Sequence, residues 1–153
     1  LEIIQRLVTD RFTFKEQPKE LATYACHRGV EDGEIDWNSD TFHVFNFIRA
    51  QSNPCPGAYT YINNQKVIIW RAKPRYDYKN YEGRIYGKIV SRFKESKSVV
   101  ILTSDGGIEI LECEVEGRNV SPTEVFHSIR TKCQSKLEAK INLLEEKWGF
   151  SQR

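Results

Sequence analysis

Apolar residues recur at helical spacing near both ends of this 153-residue chain and in short runs between them. Leu1, Ile4, Leu7 and Val8 open the sequence at helical spacing without a capping residue, so a helix tail is expected there. Residues 9–28 are polar, contain Pro18 and hold no sustained period; a surface connector is expected, extended over 21–25. Glu31-Asp32-Gly33-Glu34 supplies turn chemistry ahead of Ile35-Asp36-Trp37. Asn38 or Ser39 then caps an expected helix reaching about Ala50, with Phe42, Phe45 and Ile48 on one face, widened by Val44 and Phe47. Pro54 ends it, because the residue before a proline is pushed out of helical space.

After the rigid turn Pro54-Cys55-Pro56-Gly57 the period changes to that of strands. Residues 58–62 and 66–72 flank Asn63-Asn64, a pair that tolerates positive φ and predicts a two-residue hairpin. A tyrosine-rich basic loop follows over 73–81. Three further strands are expected at 84–93, 99–104 and 108–115, with turns at 94–97 and 105–107. Ser121-Pro122-Thr123-Glu124 then reads as a capping box, followed by an apolar stripe through Val125, Phe126, Ile129 and Cys133. Leu137, Ile141, Leu144 and Trp148 continue that stripe, and Gly149 stops it. A continuous helix over 122–148 would be about 40 Å long at roughly 1.5 Å per residue, more than a small barrel covers, so its last turns are expected to dock elsewhere. The expected class is α+β, mainly β: a small barrel of about five strands with a helix before it and a long C-terminal helix.

Composition narrows this little. Net charge is +2, so the basic residues are largely balanced by acids and composition alone gives little reason to expect strong nucleic-acid binding. No apolar run approaches the roughly 18–20 residues of a membrane span and no signal peptide opens the chain, so a cytoplasmic protein with no membrane partner is expected. Cys26, Cys55, Cys113 and Cys133 show no zinc-type spacing, and no metal site is assigned. The sequence has no methionine and begins at Leu1, which suggests a piece of a longer protein.

Several motifs, in order, resemble the C-terminal part of folate-dependent formyltransferases of the methionyl-tRNA formyltransferase and sugar N-formyltransferase family. They are the acidic-Gly turn at 31–34 with Asp36-Trp37, then Phe45-Asn46-Phe47-Ile48-Arg49-Ala50, Pro54-Cys55-Pro56-Gly57-Ala58 and Ile69-Trp70-Arg71-Ala72. Asp105-Gly106-Gly107-Ile108 is similar to a later hairpin of that family. The resemblance covers roughly residues 20–130. It implies a barrel similar to an OB fold behind a doubly wound catalytic domain that takes 10-formyltetrahydrofolate. The intact enzyme would formylate a primary amine, on methionyl-tRNA or on a nucleotide-linked amino sugar.

The family's catalytic Asn, His and Asp, the His near a Ser-Leu-Leu-Pro stretch, match no position here; His27, His43 and His127 stand in other contexts. No catalytic residue is therefore assigned, and no cofactor belongs to this chain. Cys55 stands where the family has an aromatic residue, so a gap must be filled by a neighbour or left as a cavity. Cys26-His27 replaces a frequent Pro-Lys, and the stripe 137–148 runs past the end of the tRNA-acting enzymes, which leans toward another amine acceptor. The implied organisation is a helix end and connector over 1–37, the OB-like domain over 38–130 and a helical extension over 131–153.

Candidate residues follow in two groups. Asp36, Trp37, Arg49, Pro56 and Gly57 carry the family motifs and would sit at the junction with the catalytic domain; each also has a plain structural reading, as buried indole, capping carboxylate, helix-end cation or tight turn. Arg71, Lys73, Arg75, Tyr76 and Tyr78, then Arg84, Lys88, Arg92, Lys94 and Lys97, then Lys132, Lys136 and Lys140 would make an RNA or acceptor face. Asp77, Glu82 and Glu95 interrupt that run, as in an ordinary solvated surface. The expected partners are the catalytic domain, a second copy through the C-terminal helix, and tRNA. The alternative class is a free-standing RNA-binding or interaction module that kept only the barrel.

Overall fold

The computed structural model describes residues 16–149, with Ile4 alone ahead of them; apart from Ile4, the helix tail expected over residues 1–8 lies outside the described residues. Helix α1 (Thr41–Ala50) is capped by Asp40, whose side chain accepts from the backbone N–H of His43 at 2.6 Å. The expected caps do other work: Asn38 N and Ser39 Oγ both donate to the Asp36 carboxylate, closing the preceding turn. The buried face of α1 is Thr41, Val44 and Ile48, while Phe42 is 66% exposed, which corrects the expected stripe. Thr41 takes the inner position because its polar groups are satisfied there: its hydroxyl lies 2.7 Å from both Thr103 Oγ1 and Asp105 Oδ1, and its N–H donates to Asp105.

Strands β1 (Ala58–Ile62) and β2 (Gln65–Arg75) form the expected hairpin, with Asn63 and Asn64 both left-handed at φ 46° and 65°. β2 runs to Arg75 because its far half pairs with β5 (Gly107–Val115), after a bulge around Arg71. β3 (Ile89–Phe93) is shorter than expected, and β4 is Ser98–Leu102. A sixth strand, β6 (Arg118–Val120), was not anticipated; it turns back on β5 through Glu116 and Gly117, left-handed at φ 51° and 76°. The sheet order is β1-β2-β5-β4-β3, with β6 also on β5, all pairs antiparallel. Ile62, Val67, Ile69, Ile89, Val99, Ile101, Ile108 and Ile110 meet in its core, together with Val44 and Ile48 of α1.

The sheet's two outer edges are joined by one extended segment. Lys132 bridges to Lys88 ahead of β3, and Gln134 bridges to Tyr61 of β1. Cys133 N donates to Gly87 O at 2.9 Å, and Gln134 and Tyr61 exchange both backbone bonds at 2.8 and 3.1 Å. Residues 131–134 thereby close the sheet and satisfy edge groups that would otherwise stand open.

That closure explains why the helix expected over 122–148 is two helices. α2 (Pro122–Val125) is a single turn, because Ser121 makes no side-chain cap and Phe126, fully buried, takes φ −90° and ψ 63°. The chain then runs to α3 (Lys136–Trp148), where Ser135 and Glu138 form the real capping box at 3.1 and 2.7 Å. Gly149 ends α3 in the left-handed conformation, as expected. Thirteen residues make α3 about 20 Å long rather than 40.

Candidate functional site

Asp36 and Trp37 lie at the corner where the segment ahead of α1 meets the sheet, whereas Arg49, Pro56 and Gly57 lie at the far end of α1 and in the turn that follows it. Trp37 is 6% exposed and its indole N–H donates to Thr60 Oγ1 at 3.1 Å, so it is a core residue with its polar atom satisfied. Asp36 is exposed and closes its own turn. Gly57 has φ 91°, and a Cβ there would lie 2.3 Å from Ile68 Cγ2 and 3.1 Å from the Trp70 ring, so only glycine fits. Pro56 is exposed beside it, and so is Cys55, whose small side chain therefore leaves no hole in the core. Arg49 is exposed at the end of α1, with its guanidinium over the Phe45 ring and one N–H donating to Asn46.

The basic residues are mostly engaged within the domain. Arg71 pairs with Glu112 at 2.9 Å. Lys73 and Arg75 both reach Glu109, at 3.2 and 2.7 Å, and Arg75 forms a two-point pair with Asp77 while stacking over Tyr78 and Phe93. Burial would raise the Glu109 carboxyl, but donors from Ser98, Arg75 and Lys73 outweigh it and hold the group below the usual carboxylate range. Arg84 donates to four carbonyl oxygens, those of Tyr78, Lys79, Thr103 and Gly106, at 2.7–3.0 Å. Lys88 donates to Arg130 O and Arg92 to Thr123 O. Lys132 pairs with Glu138, and Lys136 with Glu31. Lys94, Lys97 and Lys140 are exposed with no ion pair among the described residues, and Tyr76 is 50% exposed. This arrangement does not favour a free-standing RNA-binding module, since most of the cations already carry structural partners.

An open cleft of about 630 Å³ lies beside the corner, lined among others by Glu34, Trp37, Arg84, Tyr86, Cys133 and Glu138. Its acids are occupied too: Glu34 accepts from the backbone N–H of Lys136, and Glu138 caps α3. Burial pushes the Cys133 thiol on its floor up to about 12, which keeps it protonated and unreactive at neutral pH. His27, His43 and His127 are exposed on three separate stretches of chain. Pattern reading missed Glu34 and Glu138 as the anchors of this corner; the Ser135-x-x-Glu138 box was the available signal for one of them.

Fold and corner together define a small antiparallel β domain with the segment ahead of α1 tied to the start of α3. Residues 29–130, two thirds of the chain, match the family model described as "Formyl transferase, C-terminal domain", and the chain belongs to that family. It is 34% identical over 127 residues to the methionyl-tRNA formyltransferase of Carboxydothermus hydrogenoformans and 33% identical over 128 residues to that of Syntrophomonas wolfei. Those alignments take in 82% of this chain but only 39% and 38% of the relatives, so the chain spans about two fifths of their length. Among solved structures it is similar to a variant of HypX from Aquifex aeolicus, with TM-score 0.54 and 21% identity, covering 83% of this chain and 22% of that one. HypX in complex with tetrahydrofolic acid gives TM-score 0.53 at 20% identity, covering 88% and 23%. At that identity the likeness speaks for the fold.

Proposed function

We propose that this chain is the connector and accessory C-terminal domain of a cytoplasmic formyltransferase which, intact, passes the formyl group of 10-formyltetrahydrofolate to a primary amine. The observation that carries this reading is the match of residues 29–130 to the formyl transferase C-terminal domain, in a chain that spans about two fifths of its relatives' length. Formyl transfer needs a base to take a proton from the ammonium and donors to hold the tetrahedral oxyanion. Neither step is routed through this chain, whose cleft acids are engaged and whose histidines lie apart. Its own contribution is positional. The connector is fixed where it meets the barrel by the Glu34–Lys136 and Glu31–Lys136 contacts, and by the Tyr59 hydroxyl donating to Glu31 O at 3.1 Å. A catalytic domain leading into that connector would be held at a set place relative to the acceptor.

The relatives' names make methionyl-tRNA the first acceptor to test, and α3, which lies beyond the matched residues, makes a nucleotide-linked amino sugar the second. The test is formyl transfer from 10-formyltetrahydrofolate to either acceptor, by the 153-residue chain alone and by the full-length protein that contains it. Turnover is expected from the latter only. Detectable transfer by the isolated chain would overturn the accessory role, and transfer by neither protein to any primary amine would overturn the enzyme reading.

A further inference from the structure

Helix α3 leaves its apolar stripe uncovered. Leu137, Ile141, Leu144 and Trp148 are 68%, 44%, 55% and 69% exposed, with Leu143 at 50% beside them. Taking the four stripe residues as positions d, a, d and a of a heptad puts Glu138 and Glu145 at e, Lys140 and Lys147 at g, and Ala139 and Glu146 at f. The f positions face this domain: Ala139 is 2% exposed, and Glu146 accepts from the Asn64 side chain of the β1–β2 hairpin at 3.3 Å. The back of α3 therefore rests on the barrel, and the a/d seam points away from it.

The flanking charges choose the occupant. In a parallel pair of helices, g meets e of the other chain five residues on, so Lys140 meets Glu145 of the partner subunit, twice by symmetry. In an antiparallel pair, g meets g and e meets e, which sets Lys against Lys and Glu against Glu. Lys140, Glu145 and Lys147 have no ion pair among the described residues. Glu138 has its own cap to hold, and its g counterpart would be the buried Cys133, so it takes no part. The helix is also ordered in advance by its capping box, its glycine stop and its seat on the barrel, so pairing does not bear the nucleation cost of a free helix.

We propose that α3 is the seam of a parallel two-fold dimer of this chain, closed by the Leu137–Ile141–Leu144–Trp148 stripe and bordered by reciprocal Lys140–Glu145 pairs. The two barrels, sitting on the f sides, lie on opposite flanks of the helix pair, and both connectors leave from the same end. This inference is independent of the formyl-transfer reading, since self-association is measured without any activity. The seam is about 16 Å long, so association in the micromolar range is expected rather than tighter.

Sedimentation equilibrium of the 153-residue chain tests it, with far-UV circular dichroism to confirm that each variant is folded; all the substituted side chains are exposed. The chain is expected to be dimeric at roughly 100 μM. Leu144→Glu should be monomeric throughout. Lys140→Glu and Glu145→Lys should each weaken the dimer roughly tenfold, and the two together should restore it to within about threefold. A monomeric wild-type chain would show that something other than a second copy covers the stripe and would overturn the proposal. Single charge changes that strengthen the dimer would mean antiparallel pairing, and a dimer indifferent to Leu144→Glu would place the interface elsewhere; either result defeats it.

Discussion

Arg75 and Glu109 give the sharpest test of how the sheet is held together, because removing either partner has unequal consequences. Glu109 is 3% exposed, near the start of β5, and accepts from Ser98 Oγ at 2.6 Å, Arg75 at 2.7 Å and Lys73 at 3.2 Å. If Arg75 is replaced by Met, the carboxylate stays buried with only Ser98 and the half-exposed Lys73, and stranding a buried charge in this way costs about 3–5 kcal/mol. If Glu109 is replaced by Gln, Arg75 keeps its two-point pair with Asp77 and Ser98 keeps Ser96 at 2.8 Å, so only charge assistance is lost. That change should cost about 1–3 kcal/mol. The sign with pH follows from the depressed carboxyl of Glu109: its stabilisation is complete above the unfolded value of about 4.3 and is lost as pH falls through the folded one. The gap between wild type and Glu109→Gln should therefore be full at pH 7 and narrow below about pH 4. Urea unfolding followed by tryptophan fluorescence, to which buried Trp37 contributes, measures both differences. The reasoning fails if Arg75→Met costs no more than Glu109→Gln at pH 7, or if the Glu109→Gln gap is unchanged by acidification.

Two further outcomes follow from backbone and burial. Gly57→Ala forces a side chain into the left-handed region and onto Ile68, so a loss of about 2–4 kcal/mol is expected in the same unfolding assay, and a change below roughly 0.5 kcal/mol would refute the assigned conformation. With a thiol reagent at neutral pH, exposed Cys26 and Cys55 should react promptly. Cys113 and Cys133, both buried and pushed up to about 12, should react only after denaturant is added, and four prompt thiols would contradict the packing.

Where the sequence was legible, a local interaction made the choice. Asn63-Asn64 specifies its own turn, Pro54 bounds α1, and Gly149 stops α3, each within a few residues of its signal. The misreadings have long-range causes. Thr41 displaces Phe42 from the core because Thr103 and Asp105, more than sixty residues away, satisfy its polar groups. Val125, Phe126, Ile129 and Cys133 keep a helical period, yet Phe126 fills the core from the bend that ends α2, Cys133 fills it from extended chain, and Ile129 is exposed. The competing demand was the open sheet edge, which residues 131–134 must pair, and nothing in their own composition announces it. Arg84 read as one more cation in a basic run; its four carbonyl partners belong to segments that only the fold brings together.

The same distinction bears on what this domain can bind. To neutralise a phosphate, Arg84 would have to release backbone carbonyls and Arg75 would have to leave Asp77 and Glu109, and hydrogen bonds to charged groups are worth about 1.5–3 kcal/mol each. A phosphate contact drawn from these residues would return little net affinity after such losses. Lys94 and Lys97 are free of that constraint, but they stand on one turn and cannot by themselves make a surface. Burial of the α3 stripe meets no comparable opposition: its side chains are already displayed on an ordered helix, and covering apolar surface yields about 25 cal/mol per Å². Contact by this domain is accordingly better served by its apolar helix face than by its basic residues, and its affinity for a partner should respond weakly to salt.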